Sequence, residues 1–145
     1  QPSGNGSPSK TRRRTVTYSA YDVVRVPFPF TDREAHKRRP ALVLSDNATF
    51  NRAAGHSVMA MITSSGHAPW PLDCPIEDLK AAGLPAASVV RFKLFTLDHR
   101  LVLGTIGHLA TDDARRVAKN VQRLLASVTE PCTAKGQATK REKTK

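Results

Sequence analysis

The chain has 145 residues, a formal net charge of +11, and 39% hydrophobic and 24% charged residues. These values are typical of a single globular domain, and no apolar run reaches the roughly 18 residues that a membrane span needs. The two cysteines lack any CxxC or Cys/His spacing, which argues against a disulfide framework or a zinc site. We therefore expect no metal, no cofactor, no signal peptide and a cytoplasmic location.

The basic excess is concentrated at the two ends of the chain. Residues 1–19 carry four basic and no acidic residues, and residues 127–145 carry five basic and two acidic ones. Both stretches are polar and have little to bury, so we expect disordered basic tails on either side of one folded domain at residues 20–126. Solubility or loose attraction to polyanions explains such tails without a nucleic-acid site in the domain.

Between the tails the pattern is mostly that of short strands. Alternation or short apolar runs predict them at residues 21–28, 40–46, 56–65, 87–97 and 100–109. Gly104 and Gly107 interrupt the last of these, which indicates a bend or a bulge.

Helices are predicted in two connections and at the end of the domain. Residues 47–53 and 76–82 have the pattern of short helices. Thr111 is the expected N-cap of a longer helix, with an apolar stripe that consists of Ala114, Val117, Val121, Leu124 and Val128. The sum is a mainly β fold, a small barrel or strongly curved sheet covered by one amphipathic helix.

Polar residues stand out at the ends of two apolar strands. Arg39 precedes Pro40, and the proline favours an extended backbone at the arginine, so its guanidinium is held at the start of a buried strand. Thr63 and Ser64 follow the third apolar run. Taken alone, Arg38 and Arg39 also fit a solvated loop, and Thr63-Ser64 fits a plain turn.

Two further cations lie on the fourth strand. Strand period places Arg91 and Lys93 on one face, where they repel each other, so we expect something anionic against them. The solvent face of an edge strand is the plainer alternative. The five histidines show no metal-ligand spacing, and Trp70 is more typical of a core or loop anchor than of a base-stacking platform.

The order of these features along the chain resembles the PemK/MazF family of toxin–antitoxin ribonucleases. The resemblance runs from Tyr21 to Leu125 and rests on five stretches: "YDVVRVPFPFTD", "KRRPALVLSD" followed by "TFNRA", "MAMITSS", "SVVRFKLFTLD" and "GHLATDDARRVAKNVQRLL". It implies an SH3-like β-barrel of the PemK/CcdB kind, usually a homodimer.

The resemblance also implies an activity and partners. Such toxins are metal-independent endoribonucleases that cleave single-stranded RNA, including mRNA. The ribose 2′-hydroxyl attacks the adjacent phosphate and leaves a 2′,3′-cyclic phosphate and a 5′-hydroxyl. An acidic, largely disordered segment of a cognate antitoxin holds them inactive, and operator DNA is bound only through the antitoxin complex.

The resemblance carries over to particular residues. Arg39 and Thr63 match the family's key arginine and threonine, and Arg91 matches an arginine that some members use near the cleaved bond; these three are the expected catalytic residues. The expected substrate-binding residues are Ser64, Lys93, His36, Arg38 and Lys37.

The chain departs from the pattern of some members at Lys93. Those members carry an acidic residue there, proposed as the general base, whereas a charged ammonium cannot accept a proton. His36 is an alternative base, and the acid and base assignments stay open.

Two other functions fit the same kind of barrel. A gyrase-inhibiting toxin acts by binding a protein and has no chemistry of its own. A non-catalytic nucleic-acid-binding barrel would depend on the basic tails, and its binding would be strongly salt-sensitive.

Overall fold

The structure, a computed structural model, describes residues 16–28 and 37–126. Six strands form one sheet: β1 (Asp22–Phe28), β2 (Lys37–Val43), β3 (His56–Ser64), β4 (Cys74–Pro75), β5 (Ser88–Asp98) and β6 (Gly104–His108). Their order across the sheet is β4-β5-β3-β2-β1-β6, and every neighbouring pair is antiparallel. The sheet curls into a half-barrel, so the predicted mainly β barrel fold is confirmed.

Both faces of the sheet are apolar, which explains the short continuous apolar runs. One face carries a buried cluster that includes Val23, Leu42, Ala60, Ile62 and Val90. The other face, called here the inner face, carries a cluster that includes Val24, Val26, Ala41, Val43, Met59 and Leu97. Successive side chains of a strand point to opposite faces, so each central strand supplies both clusters.

Five helical segments connect or close the strands. They are a π-helical turn (Asn47–Asn51), α1 (Arg52–Ala54), α2 (Leu79–Ala82), a 3-10 turn (His99–Leu101) and α3 (Thr111–Leu124). The two predicted connecting helices are therefore present. Asp78 caps α2, and Gly83 ends it in the left-handed conformation at φ 74°.

The closing helix α3 is confirmed, but its predicted cap is wrong. The N-cap is Ala110, and Thr111 is the first helical residue. Asp113, only 2% exposed, turns its carboxylate to the loop before α2 and accepts hydrogen bonds from the N–H groups of Glu77 and Asp78. The buried side chain of Val117 packs α3 against the apolar cluster of the sheet. None of the helices in the described part of the chain is long and apolar enough to span a membrane.

Three strand boundaries differ from the sequence-based expectation. The second strand begins at Lys37 and ends at Val43, because it continues back through Pro40. The predicted strand at 100–109 is a 3-10 turn followed by β6, and a register shift against β1 supplies the expected bulge. The two-residue strand β4 carries no periodic signal and was not predicted.

The expected tails lie mostly outside the described residues. This applies to residues 1–15 and 127–145, and the segment 29–36 with His36 is outside them as well. Tyr18, assigned from the sequence to the first tail, is buried against the inner-face cluster. Cys74 is buried and forms no disulfide with any residue described.

Candidate active site

A cavity of about 360 Å³ opens at the point where β2 and β3 stop pairing. The last ladder pair is Ala41 with Met61, so in the same register Arg39 would face Thr63. Pro40 has no N–H to offer to β3, so the two strands part just beyond that pair. The resulting gap, called here the groove, is lined by Phe28, Arg39, Met61, Ile62, Thr63, His67, Ala68, Trp70, Arg91 and Lys93.

Arg39 has an unsatisfied donor in the groove. Its Nε is buried and has no hydrogen-bond partner among the described residues. Its guanidinium carbon lies 5.3 Å from the centroid of the Phe28 ring, which holds the side chain over the neighbouring strand. A buried donor without a partner costs about 1–3 kcal/mol. An acceptor entering the groove would recover that cost.

Thr63 lines the groove with Arg39 and lies near the end of β3. It is half-buried and still paired with Val89, so a regular strand holds it rather than a turn. Ser64 is the last strand residue, and it does not line the groove. Strand alternation turns its side chain away from the face that Thr63 occupies.

Arg91 lines the groove, but its guanidinium is already engaged. Its Nε and Nη2 donate to the two carboxylate oxygens of Asp73 at 3.2 and 2.9 Å, and Nη2 also donates to the Ala68 carbonyl at 2.8 Å. The two side chains are only 12% and 13% exposed. The anion expected against this strand is thus supplied by the chain itself.

The pKa values of this pair shift in opposite directions. Partial burial acts to raise the pKa of Asp73, but the hydrogen bonds from Arg91 and the Trp70 N–H, with the charge of Arg91, outweigh it and lower that pKa. The bond to Asp73 raises the pKa of Arg91. The ion pair therefore persists at neutral pH and is lost only when acid protonates Asp73.

Lys93 and His67 complete the polar lining. The pairing of β3 with β5 shifts register between Ala60 and Met61, which leaves Phe92 and Lys93 without opposite partners, and Lys93 is exposed. His67 lies in the turn after β3. Sequence reasoning did not select His67, because a histidine in a turn has no periodic signal; its position shortly after Thr63 was the available clue.

Two predicted site residues on β2 are described by the structure but do not line the groove. Lys37 and Arg38 are exposed on β2 beside Phe28 and Pro27, and neither lines the cavity. Arg38 also points to the opposite face from Arg39, as its neighbour in a strand must. His36 lies outside the described residues.

A second, larger cavity of about 560 Å³ lies at the other end of β3. Several polar groups at this cavity are hydrogen-bonded to one another or to the backbone. Ser57 Oγ and His99 Nε2 share a hydrogen bond at 2.7 Å, Arg100 donates to Asp98 at 2.7 Å, and His56 Nδ1 lies 3.0 Å from the Ala54 carbonyl. Within residues 16–28 and 37–126, no three His, Cys, Asp or Glu side chains are grouped as a metal site requires.

The curled sheet, its closing helix and a groove lined by cationic side chains between two parted strands define a small β-barrel protein. A sequence model of the family described as "PemK-like, MazF-like toxin of type II toxin-antitoxin system" matches residues 19–125. The chain belongs to this family.

Solved structures have the same fold. A MazF from Deinococcus radiodurans is 26% identical, with a TM-score of 0.59 over 77% of this chain and 98% of that one. A MazE-MazF complex from the same organism is 24% identical, with a TM-score of 0.61 over 77% and 98%. An endoribonuclease in complex with its cognate antitoxin, from a mycobacterial species, is 16% identical, with a TM-score of 0.58 over 75% and 93%. A search of curated proteins finds no match.

Proposed function

We propose that this MazF-like toxin is a metal-independent endoribonuclease that cleaves single-stranded RNA in the groove. The observation that carries the proposal is Arg39, which lines the groove with Thr63 and whose buried Nε has no hydrogen-bond partner among the described residues. A guanidinium donates two parallel hydrogen bonds to phosphate oxygens, and a buried donor without a partner favours such an acceptor. A mycobacterial protein of the same fold is named an endoribonuclease.

The reaction assigned to the groove is an intramolecular transesterification of the RNA backbone. The ribose 2′-oxygen loses its proton to a base and bonds to phosphorus, while the bond from phosphorus to the 5′-oxygen breaks and that oxygen takes up a proton. The products are a 2′,3′-cyclic phosphate and a 5′-hydroxyl. Arg39 and the Thr63 hydroxyl donate to the phosphate oxygens, where negative charge builds up.

His67 is the group we assign to proton transfer. It is the histidine that lines the groove with Arg39 and Thr63, and an imidazole both accepts and donates protons near neutral pH. A lysine ammonium can donate hydrogen bonds or a proton but cannot accept one. We therefore assign Lys93 to binding phosphate or to protonating the leaving 5′-oxygen. Arg91 is engaged by Asp73, and we assign it to holding the wall of the groove rather than to the reacting phosphate.

The partners follow from the same assignment. Solved structures with this fold include complexes of MazE with MazF and of an endoribonuclease with its cognate antitoxin. We propose that an antitoxin with an acidic, disordered segment inhibits this chain by competing with RNA for the positive groove, and that operator DNA is bound only through that complex. We further propose a homodimer that acts in the cytoplasm, where its substrate is.

The test is incubation of the purified full-length protein with mixed-sequence RNA in EDTA, followed by analysis of the fragment ends. We expect cleavage with cyclic phosphate and 5′-hydroxyl ends. Loss of cleavage in EDTA, restored by a divalent ion, would show a metal mechanism. Intact RNA would favour a toxin that binds gyrase, and salt-sensitive binding without cleavage would favour a plain nucleic-acid-binding barrel.

A further inference from the structure

The indole of Trp70 forms part of the groove wall and is not buried in a core. Trp70 lies in the connection between β3 and β4, it lines the groove, and 44% of it is exposed. The exposed part of the ring is available for contact, and an aromatic ring in the same groove as the proposed phosphate-binding arginine is suited to a nucleotide.

The ring is held in place by the ion pair described above. The Arg91 guanidinium carbon lies 5.3 Å from the centroid of the Trp70 ring, so the cation covers one side of the indole. The backbone on both sides is fixed as well, because the Trp70 N–H donates to Asp73 at 2.9 Å and the Ala68 carbonyl accepts from Arg91 at 2.8 Å. The connection therefore presents a pre-positioned aromatic surface instead of a mobile side chain.

We propose that Trp70 is the stacking platform for one nucleobase of the RNA, adjacent to the phosphate that Arg39 and Thr63 bind. The inference rests on the proposed function and deepens it. Arg39 and Thr63 recognise a phosphate, which every nucleotide carries, so they cannot fix which base enters the groove. A flat indole backed by a guanidinium binds a base by stacking, and single-stranded RNA is the nucleic acid whose bases are free to stack.

Asp73 and Arg91 are then positioning residues for Trp70. This role fits the contrast between Arg91, whose Nε and Nη2 are hydrogen-bonded, and Arg39, whose Nε has no partner among the described residues. The pair supports the platform, and Arg39 provides the contact with the phosphate.

The chain offers a direct probe, because Trp70 is its one tryptophan. The cleavage site is first located in a mixed-sequence RNA, and that RNA is then made with a 2′-deoxy nucleotide at the site so that it binds without being cut. We expect binding to quench Trp70 fluorescence, since a stacked base quenches an indole. A series of these RNAs then carries one abasic nucleotide, each at a different position. We expect the quenching to be lost at a single position beside the cleavage site, while the RNA still binds through its phosphates.

Kinetics provide the second readout. Trp70→Ala should raise KM for the cleavable RNA by about 5- to 150-fold, the range for loss of one stacked base, with a smaller change in kcat. Trp70→Phe should restore most of the loss. The matched control is Phe50→Ala, which removes an aromatic ring that is 40% exposed and lies outside the groove lining, and it should leave KM unchanged.

The outcomes separate this inference from the proposed function. If the wild-type protein cleaves RNA but its fluorescence is unchanged by the uncleavable RNA, and Trp70→Ala has a normal KM, the platform is disproved and the nuclease stands. If the wild-type protein neither binds nor cleaves RNA, both are overturned. Circular dichroism of the Trp70 variants at the assay temperature confirms that they are folded.

Discussion

Ser57 and Thr63, near the two ends of strand β3, lie on the same face of the sheet. Their surroundings differ in how many polar groups have a hydrogen-bond partner. At one end Ser57, which is buried, shares its hydrogen bond with His99, and the charged side chains of Arg100 and Asp98 are paired with each other. At the other end Thr63 lines the groove with Arg39, whose buried Nε has no hydrogen-bond partner among the described residues. Most buried polar groups in proteins are paired, so the unpaired donor of a charged side chain supports the choice of the groove as the proposed site.

The same contrast separates two arginines within the groove. Arg91 donates to Asp73 and to the Ala68 carbonyl, whereas the Arg39 Nε has no hydrogen-bond partner among the described residues. The difference is one of available hydrogen bonds and not of charge. It is the reason why we assign Arg91 to the groove wall and Arg39 to the ligand.

The largest expected effect comes from removing the available donor. Arg39→Ala should lower kcat for RNA cleavage by about 10²–10³-fold, the usual effect of losing a donor to a developing anion. The measurement is single-turnover cleavage of a labelled RNA, with the unfolding midpoint recorded for each variant. Arg25→Ala is the control, since it removes an exposed arginine from the adjacent strand and is outside the groove lining. Equal activity of the two variants would show that Arg39 contributes no more to cleavage than an exposed arginine outside the groove.

The next effect concerns proton transfer. His67→Gln should lower kcat by about a hundredfold, at the lower end of the range for a general acid or base, and should change the shape of the pH profile of kcat. His56→Gln, at the other end of β3, is the matched control and should change neither. A His67 variant with the wild-type pH profile would show that another group moves the proton.

The smallest effect should appear in stability and not in activity. Burial lowers the pKa of His99, with the charge of His56 acting in the same direction, against the opposing bonds to the Val16 and His56 backbone and the charge of Asp98. The folded protein thus binds fewer protons at His99 than the unfolded chain, so stability is lost as pH falls below about 6.5.

This linkage can be measured by urea unfolding at pH 7.5 and pH 5.5. A single proton limits the slope to about 1.4 kcal/mol per pH unit. His99→Gln should flatten the dependence on pH and leave RNA cleavage at pH 7.5 within about twofold, because the second cavity is structural. A flat wild-type curve would contradict the sign, and a loss of cleavage in this variant would undo the contrast between the two ends of β3.

Much of the fold could be predicted because its signals are local. The alternation and the short apolar runs predicted the longer strands, and the apolar stripe predicted α3. The cap of α3 was predicted wrongly because Asp113 serves a tertiary contact with Glu77 and Asp78, which no local rule contains. The early start of β2 was missed because Pro40 usually begins or edges a strand, whereas here it lies where β2 leaves β3.

The candidate site divides in the same way. Arg39, Thr63, Arg91 and Lys93 were chosen from the sequence, and all four line the groove. The ion pair of Asp73 with Arg91 could not be predicted from the sequence, because it depends on how the connection after β3 folds back. His67 and Trp70 lie in the same connection; the sequence showed only that the histidines lack metal-ligand spacing, and it favoured a core or loop anchor for Trp70. Their catalytic and binding roles stay predictions.

The central claim is that Arg39 binds the phosphate at which the RNA is cut. The most direct test uses the uncleavable RNA with the scissile phosphate replaced by an uncharged methylphosphonate, and compares its binding with that of the charged RNA for wild-type protein and Arg39→Ala. The account predicts that loss of this one charge weakens binding to the wild type and has little effect on the variant. An equal loss in both proteins would contradict it, because Arg39 would then not contact that phosphate.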